Sequence, residues 1–503
     1  KVNAVMRMLA SGTLNPEYFL HPSLLLYSTY FVNYILQAFA FFGEFSAEFR
    51  ESAFIAGRLV SALAGTLSIY LTFYVGRRLF GVQTGLIAAL FLAVFPLHVT
   101  CSRYLKEDAL LTMMILACTA ALLKAVQDDR RFSLFLSALF AGMAASTKYS
   151  GILSVLVVAA SPWLRSKTLR PDPRWSKLTL LALLLVPAGF VLCTPYSILT
   201  PGKFLADLGY EQRHLMRGHT IPIDPWSQYW LYHFWRSIIP GISPLAAIAS
   251  LIGAGILLWR RRVEDLFLVG MVLLFYLPAE WAPSKPEPQP ERYIFPCLPF
   301  IAIAAGELGA VLSRSNHHLR TTSALVLAAL IAYFPAKRTL QLASEIKDDT
   351  RVQLSRWMKG NLPPESKVYI DFKAYSPRFW HEEFKVSYLP AAKILEKLNV
   401  RDLRSSGYDY LVLSGLFYER YFTQPLAEPG LRQRLRDVFE QVPIVKQISP
   451  RYGTYGFHNP TLTLFSLKKE DFEQLDMERQ KKKLGQLAKT GNEIRASLKW
   501  GVQ

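Results

Sequence analysis

The stretch Phe95-Pro96-Leu97-His98-Val99-Thr100-Cys101-Ser102-Arg103-Tyr104-Leu105-Lys106-Glu107-Asp108 closes one apolar run and opens the next, Ala109 to Leu123. Charge is concentrated where two hydrophobic segments meet. A further pair of apolar runs, Phe132 to Ala145 and Gly151 to Trp163, encloses a second polar knot, Ser146-Thr147-Lys148-Tyr149-Ser150. About 20 helical residues cover the hydrocarbon layer of a bilayer. If these runs cross a membrane, both knots emerge on the same side, and chemistry is expected there.

Composition supports that reading. Of 503 residues, 51% are hydrophobic, gathered in blocks that carry almost no charge. The net charge of +19 would suggest nucleic acid in a soluble chain. Here many Lys and Arg stand in short loops between apolar blocks, where they orient spans. A lipid bilayer is therefore the expected partner and nucleic acid is not. Cys101, Cys118, Cys193 and Cys297 lie in or beside apolar segments without paired spacing, which predicts buried free thiols, no disulfide framework and no zinc site. No cofactor is assigned; a need for a divalent cation is left open. The chain opens on Lys1 without a signal peptide, so a first span and the start of a first outer loop are expected upstream.

From these blocks the fold class is a polytopic α-helical membrane protein with a C-terminal soluble α/β domain. Residues 1–335 form the multi-pass part, 336–468 the soluble domain and 469–503 a charged tail. Spans are predicted at Leu59–Tyr74, Gly85–Val99, Ala109–Leu123, Phe132–Ala145, Gly151–Trp163, Leu178–Cys193, Pro244–Trp259, Leu266–Leu277, Ile294–Leu312 and Ala324–Phe334. The loops at Arg77-Arg78, Arg130-Arg131, Arg165–Lys177, Arg260–Arg262 and Arg314–Arg320 are basic, hence cytoplasmic. Both knots, the loop Thr194–Ile239, the loop Glu280–Arg292 and the soluble domain then face outward. The aromatic segment Leu24–Phe42 is expected to lie along the outer interface, although a cytoplasmic start upstream would let it cross. In the soluble part, Leu342–Met358 reads as a helix, and Lys367–Phe372, Tyr408–Ser414 and Thr461–Leu467 read as strands. Lys481-Lys482-Lys483 in the tail reads as a solvated face, with lipid headgroup contact as the alternative.

Ionisable residues at membrane depth are costly and mark function. Glu107 and Asp108 begin a helix, where acids complement the macrodipole; Asp108 could also orient or deprotonate a nucleophile, or hold a cation. Lys148 sits between two apolar helices and needs an anion or an escape to water. Arg292 is placed to meet an anion with its planar fork, and Arg103 stands beside Asp108 for the same purpose. The loop from Tyr196 to His233 mixes charges with aromatic rings, which suits sugars or lipid headgroups, while a plain interfacial helix is the alternative. His214 and His219 lack the spacing of a zinc pair. With His21 and Tyr293, the residues Tyr196, His214 and His219 are the candidates for binding acceptor or sugar.

The order of features is familiar as a set. Leu14-Asn15-Pro16, His21-Pro22-Ser23-Leu24, Arg58-Leu59, Gly76-Arg77-Arg78-Leu79-Phe80-Gly81, Pro96-Leu97-His98, Ser102-Arg103 with Asp108, Thr147-Lys148-Tyr149 and Arg292-Tyr293-Ile294-Phe295-Pro296 resemble the protein mannosyltransferase-like branch of the C-type glycosyltransferases. That branch is similar to the lipid A aminoarabinose transferases as well. The likeness covers roughly residues 12–315 and each motif alone is weak. It implies a multi-pass cell-membrane enzyme that moves a sugar, with inversion, from a polyprenyl-phosphate donor to a protein, lipid or glycan acceptor on the outer face. Asp108 matches the family's second acidic position, and Arg58, Lys148 and Arg292 match basic positions able to face the donor phosphate. The family's first acidic residue would fall before Lys1. A flippase or other transporter of lipid-linked sugars is the competing reading; it would show polar breaks in mid-span and repeated halves, which this sequence lacks.

Overall fold

The computed structural model describes residues 1–38, 49–217, 231–282, 290–313, 318–371, 375–377, 379, 383–388, 398–423 and 427–473. These divide into two compact units, one within residues 1–339 and one from residue 340 onward.

The first unit is helical. Five of its helices are long and apolar enough to cross a membrane, which supports a membrane location: Glu51–Phe80, Glu107–Gln127, Pro173–Cys193, Glu291–Leu312 and Ala324–Ser344. Phe49–Phe80 lies against both Val82–Val94 and Glu107–Gln127, and the latter packs along Arg131–Thr147. The start of Glu107–Gln127 is set by its sequence: Lys106 is extended, Glu107 and Asp108 occupy the first turn, and Lys124 sits in the last. Its far end is tied by the Arg78 fork, which donates to both Asp128 oxygens at 2.7 and 2.8 Å. Apolar side chains gain little from meeting one another in lipid, so close packing must hold such helices together. Gly142 and Gly189 provide it. A Cβ on Gly142 would stand 2.2 Å from the Val186 carbonyl oxygen, and one on Gly189 would stand 2.4 Å from that of Leu139. Arg131–Thr147 and Leu185–Cys193 therefore cross with their backbones in contact. Just beyond that crossing, the Ser146 and Thr194 hydroxyls share a hydrogen bond of 2.6 Å.

Two expected spans are not single rods. Pro96 lacks the amide a continuous helix would need, so Val82–Val94 stops at Phe95 and a separate helix, Pro96–Cys101, begins. The run Gly151–Trp163 is a 3-10 turn, Tyr149–Leu153, followed by two short helices, Ser154–Ala159 and Ser161–Ser166. The expected span Pro244–Trp259 is one helix, Pro244–Arg260, which meets the preceding Phe234–Ile242 at 107° across Ser243, whose φ is 84°. Leu24–Ala38 is helical, and the rest of that aromatic segment, 39–42, lies outside the described residues. All four cysteines are buried and free, as expected.

A charged cluster sits at the end of the unit where Arg78 meets Asp128. Arg260, over the Phe80 ring, donates through Nη1 to Glu307 at 2.7 Å and through Nε to Asp265 at 2.8 Å. Thr84 donates to the second Glu307 oxygen at 2.8 Å, and the Arg262 amide donates to Asp265 at 3.0 Å.

The second unit is an α/β sheet of order β2-β1-β3-β5-β4, with β1 Lys367–Ile370, β2 Lys385–Tyr388, β3 Tyr410–Ser414, β4 Ile444–Ile448 and β5 Leu462–Ser466. The pairs of β1 with β2 and β3 are parallel, and those of β5 with β3 and β4 are antiparallel. Val368, Ile370, Val412 and Leu464 pack on one face against Leu354 and Met358 of the helix Thr350–Asn361. Tyr369, Leu411, Leu413 and Phe465 pack on the other against Phe417, Leu435 and Phe439. The helix expected from Leu342 instead starts at Thr350, where Asp349 accepts from the Arg351 amide. Lys481–Lys483 lie outside the described residues.

Candidate active site

Three separate parts of the chain bring charge to one buried point. Asp108 enters on the first turn of Glu107–Gln127, Lys148 stands at the extended residue that ends Arg131–Thr147, and Arg292 lies on the 3-10 helix Pro290–Cys297. Lys148 Nζ donates to Asp108 Oδ1 at 2.9 Å, and Arg292 Nη1 lies 3.6 Å from Asp108 Oδ2. Lys148 Nζ also sits 5.0 Å above the Tyr293 ring, whose face attracts a cation. Asp108 is 1% exposed, so removing it would leave two cations in a medium that solvates them poorly. Burial opposes the charge on Lys148, but Asp108 outweighs it and holds the ammonium above its ordinary range.

Glu107 faces a different group. It pairs with Lys1 Nζ, and His21 Nε2 lies 3.9 Å from its Oε1. Burial, opposed by Glu107, pulls His21 down to about 4, so the imidazole is neutral near pH 7. Lys106 is pushed down to about 7 by burial and then by the cations Lys1 and Arg292. Glu211 faces the same region from the helix Pro201–Arg217. Burial raises its carboxyl, against the pull of His214 and Lys148. Lys1, Lys148 and Arg292, with Lys106 partly charged near pH 7, thus gather around Glu107 and Asp108, and the balance favours an added anion. Hydrogen bonding points the same way at Arg292, whose Nε donor is buried without a hydrogen-bond partner among the described residues.

Arg58 is exposed on its helix, and Arg103 donates through Nε to the Val99 carbonyl of its own turn at 3.1 Å. Tyr196 is half-buried, and His214 is exposed and stacked on Tyr210. His219 lies outside the described residues. Among the described residues, no three His, Cys, Asp or Glu side chains converge as a metal site. Sequence reasoning missed Lys1 as the partner of Glu107, and also Asp207, which accepts from the Phe19 amide at 2.8 Å. Neither pairing has a local signal, since each joins residues more than 100 positions apart.

Residues 37–195, which include Asp108 and Lys148, match the family described as dolichyl-phosphate-mannose-protein mannosyltransferase. ArnT of Cupriavidus metallidurans, solved with undecaprenyl phosphate bound, superposes with a TM-score of 0.50 over 93% of each chain at 15% identity. The fold is that of the C-type glycosyltransferases. The apo oligosaccharyltransferase of Archaeoglobus fulgidus aligns with a TM-score of 0.47, over 90% of this chain and 67% of its own, at 12% identity. The Pmt1-Pmt2 protein O-mannosyltransferase complex of S. cerevisiae, bound to sugar donor, is 23% identical over 42% of this chain and 29% of that one, with a TM-score of 0.30. No curated protein sequence matches the chain.

Proposed function

We propose that this chain is a multi-pass membrane glycosyltransferase that moves a sugar from a polyprenyl-phosphate donor to a protein, lipid or glycan acceptor on the outer face of the membrane, with inversion. The observation that carries the reading is the Asp108, Lys148 and Arg292 cluster, with an Arg292 Nε that is buried and unpartnered among the described residues, in a fold shared with a protein solved with undecaprenyl phosphate. Asp108 spaces the two cations. Lys148 and Arg292 then meet the donor phosphate and stabilise the charge that grows as the bond from the sugar anomeric carbon to phosphate oxygen breaks. The acceptor oxygen attacks that carbon from the opposite side, its proton passes to Glu107, and polyprenyl phosphate departs with the bonding electrons. The basic loops at the Arg78 and Arg260 end support a cytoplasmic setting for that end and an outer one for the Asp108 end and the α/β unit.

The test is transfer of radiolabelled sugar by the full chain in liposomes, from a panel of polyprenyl-phosphate sugars. Donor-dependent transfer that is lost in both Asp108→Asn and Lys148→Ala, with folding retained, supports the reading. Movement of intact lipid-linked sugar across the bilayer without transfer would replace it with a flippase.

A further inference from the structure

We propose that Asp207 is a positioning residue that clamps the backbone of Phe19 together with Tyr149, and so holds His21 beside Glu107 to receive the acceptor. The role rests on the glycosyltransferase reading above and extends it to a residue outside the charged cluster. Residues 12–23 contain no regular helix or strand, so their backbone groups must find partners elsewhere. Those partners come from distant parts of the chain. Arg7 donates to the Pro16 carbonyl at 3.0 Å, and Thr194 Oγ1 accepts from the Ser23 amide at 3.2 Å. Between these anchors Phe19 is fully buried, its ring 5.7 Å from that of Phe204. Its amide donates to Asp207 Oδ2 at 2.8 Å, and its carbonyl accepts from the Tyr149 hydroxyl at 2.6 Å. Phe204 also meets the Tyr149 ring at 6.4 Å and the Phe190 ring at 6.2 Å, which closes an aromatic nest around the clamp.

Both jaws belong to elements that serve the site. Tyr149 follows Lys148 directly. Asp207 lies one turn before Glu211 on the inner face of Pro201–Arg217, where Phe204, Asp207, Leu208 and Glu211 face inward and Leu205, Tyr210 and Met216 face out. The clamp therefore couples the cation at Lys148 to the loop that carries His21. A carboxylate does this better than a neutral acceptor, because a bond from an amide to a charged oxygen is the stronger kind. Lys203 supplies the compensating charge from the preceding turn.

The experiment uses the full chain in liposomes and measures the Michaelis constants of donor and acceptor separately for the wild type, Asp207→Ala, Asp207→Asn and Tyr149→Phe. Asp207→Ala and Tyr149→Phe are expected to raise the acceptor KM by roughly tenfold, the loss of one hydrogen bond to a buried group, with the donor KM within about twofold of wild type. Asp207→Asn keeps an oxygen for the Phe19 amide and should restore most of the affinity. An unchanged acceptor KM, equal rises for donor and acceptor, or an Asn variant as impaired as Ala would overturn the role. Hydrogen exchange across residues 14–23 reads the clamp without turnover: protection lost in Asp207→Ala and kept in Asp207→Asn supports it, and equal protection in all variants refutes it. A wild-type chain that transfers from no donor while these exchange differences persist overturns the transferase reading, leaving the clamp as a structural device.

Discussion

The helical unit buries two charged clusters, one at each end of the helix Glu107–Gln127, and they are built differently. Around Glu307 and Asp265, Thr84, Arg260 and the Arg262 amide between them reach all four carboxylate oxygens. Around Asp108, cations outnumber carboxylates, and among the described residues buried polar atoms on Arg292 and Asp108 go without a hydrogen bond. A closed network fixes helices and asks for nothing more, whereas an open one carries a standing cost that a ligand can relieve. Burial and charge alone would not separate the two; hydrogen-bond completeness does.

The comparison breaks most sharply by exchanging the damage. Asp108→Asn should lower transfer by about 10²–10⁴-fold, the range of acid–base and charge-stabilising residues, measured as kcat/KM on protein shown to be folded. Glu307→Ala should do the reverse, costing about 3–5 kcal/mol of stability as Arg260 loses a buried partner, while active-site occupancy of the folded fraction stays at the wild-type level. Thermal inactivation in detergent checks this; a stable but inactive Glu307→Ala protein would place chemistry at the wrong end. Arg292→Lys keeps the charge and loses the fork, so the donor KM should rise by about tenfold with less effect on kcat.

The smallest effect concerns pH. The unfolded chain takes up the His21 proton near 6.5, but the folded protein refuses it until about 4. Between those values the unfolded state holds more protons, so His21 lowers stability as pH falls from 6.5 to 4 and has no effect above that window. Thermal inactivation measured across it should be less pH-dependent in His21→Gln than in wild type.

The sequence announced much of this architecture because apolar blocks and basic loops are local signals. Parity alone put Asp108 and Lys148 on one side, and the structure joins them. What the sequence hid depends on partners far away in the chain. Glu307 stands alone in the apolar run Ile294–Leu312, and nothing nearby names Arg260 or Thr84 as its partners. Asp207 reads as an ordinary acid on an amphipathic helix until Phe19 is brought to it. In the α/β unit, β1, β3 and β5 were visible as apolar β-branched or aromatic runs. Lys385–Tyr388 and Ile444–Ile448 are short and interrupted by polar residues, and neighbouring strands define them. The breaks at Pro96 and Ser243 divide helices without disturbing the hydropathy of their surroundings.

The contact between Gly142 and Gly189 sets a manufacturing tolerance for the site. Each glycine lies a few residues before the end of its helix, and those ends carry Lys148 on one side and Thr194, the anchor of the Ser23 amide, on the other. With backbones already touching, the two rods have no slack along their line of approach, so Lys148 and the root of the loop that carries His21 share one rigid mount. A single methyl group at either glycine would be a shim driven between them, displacing both fittings together.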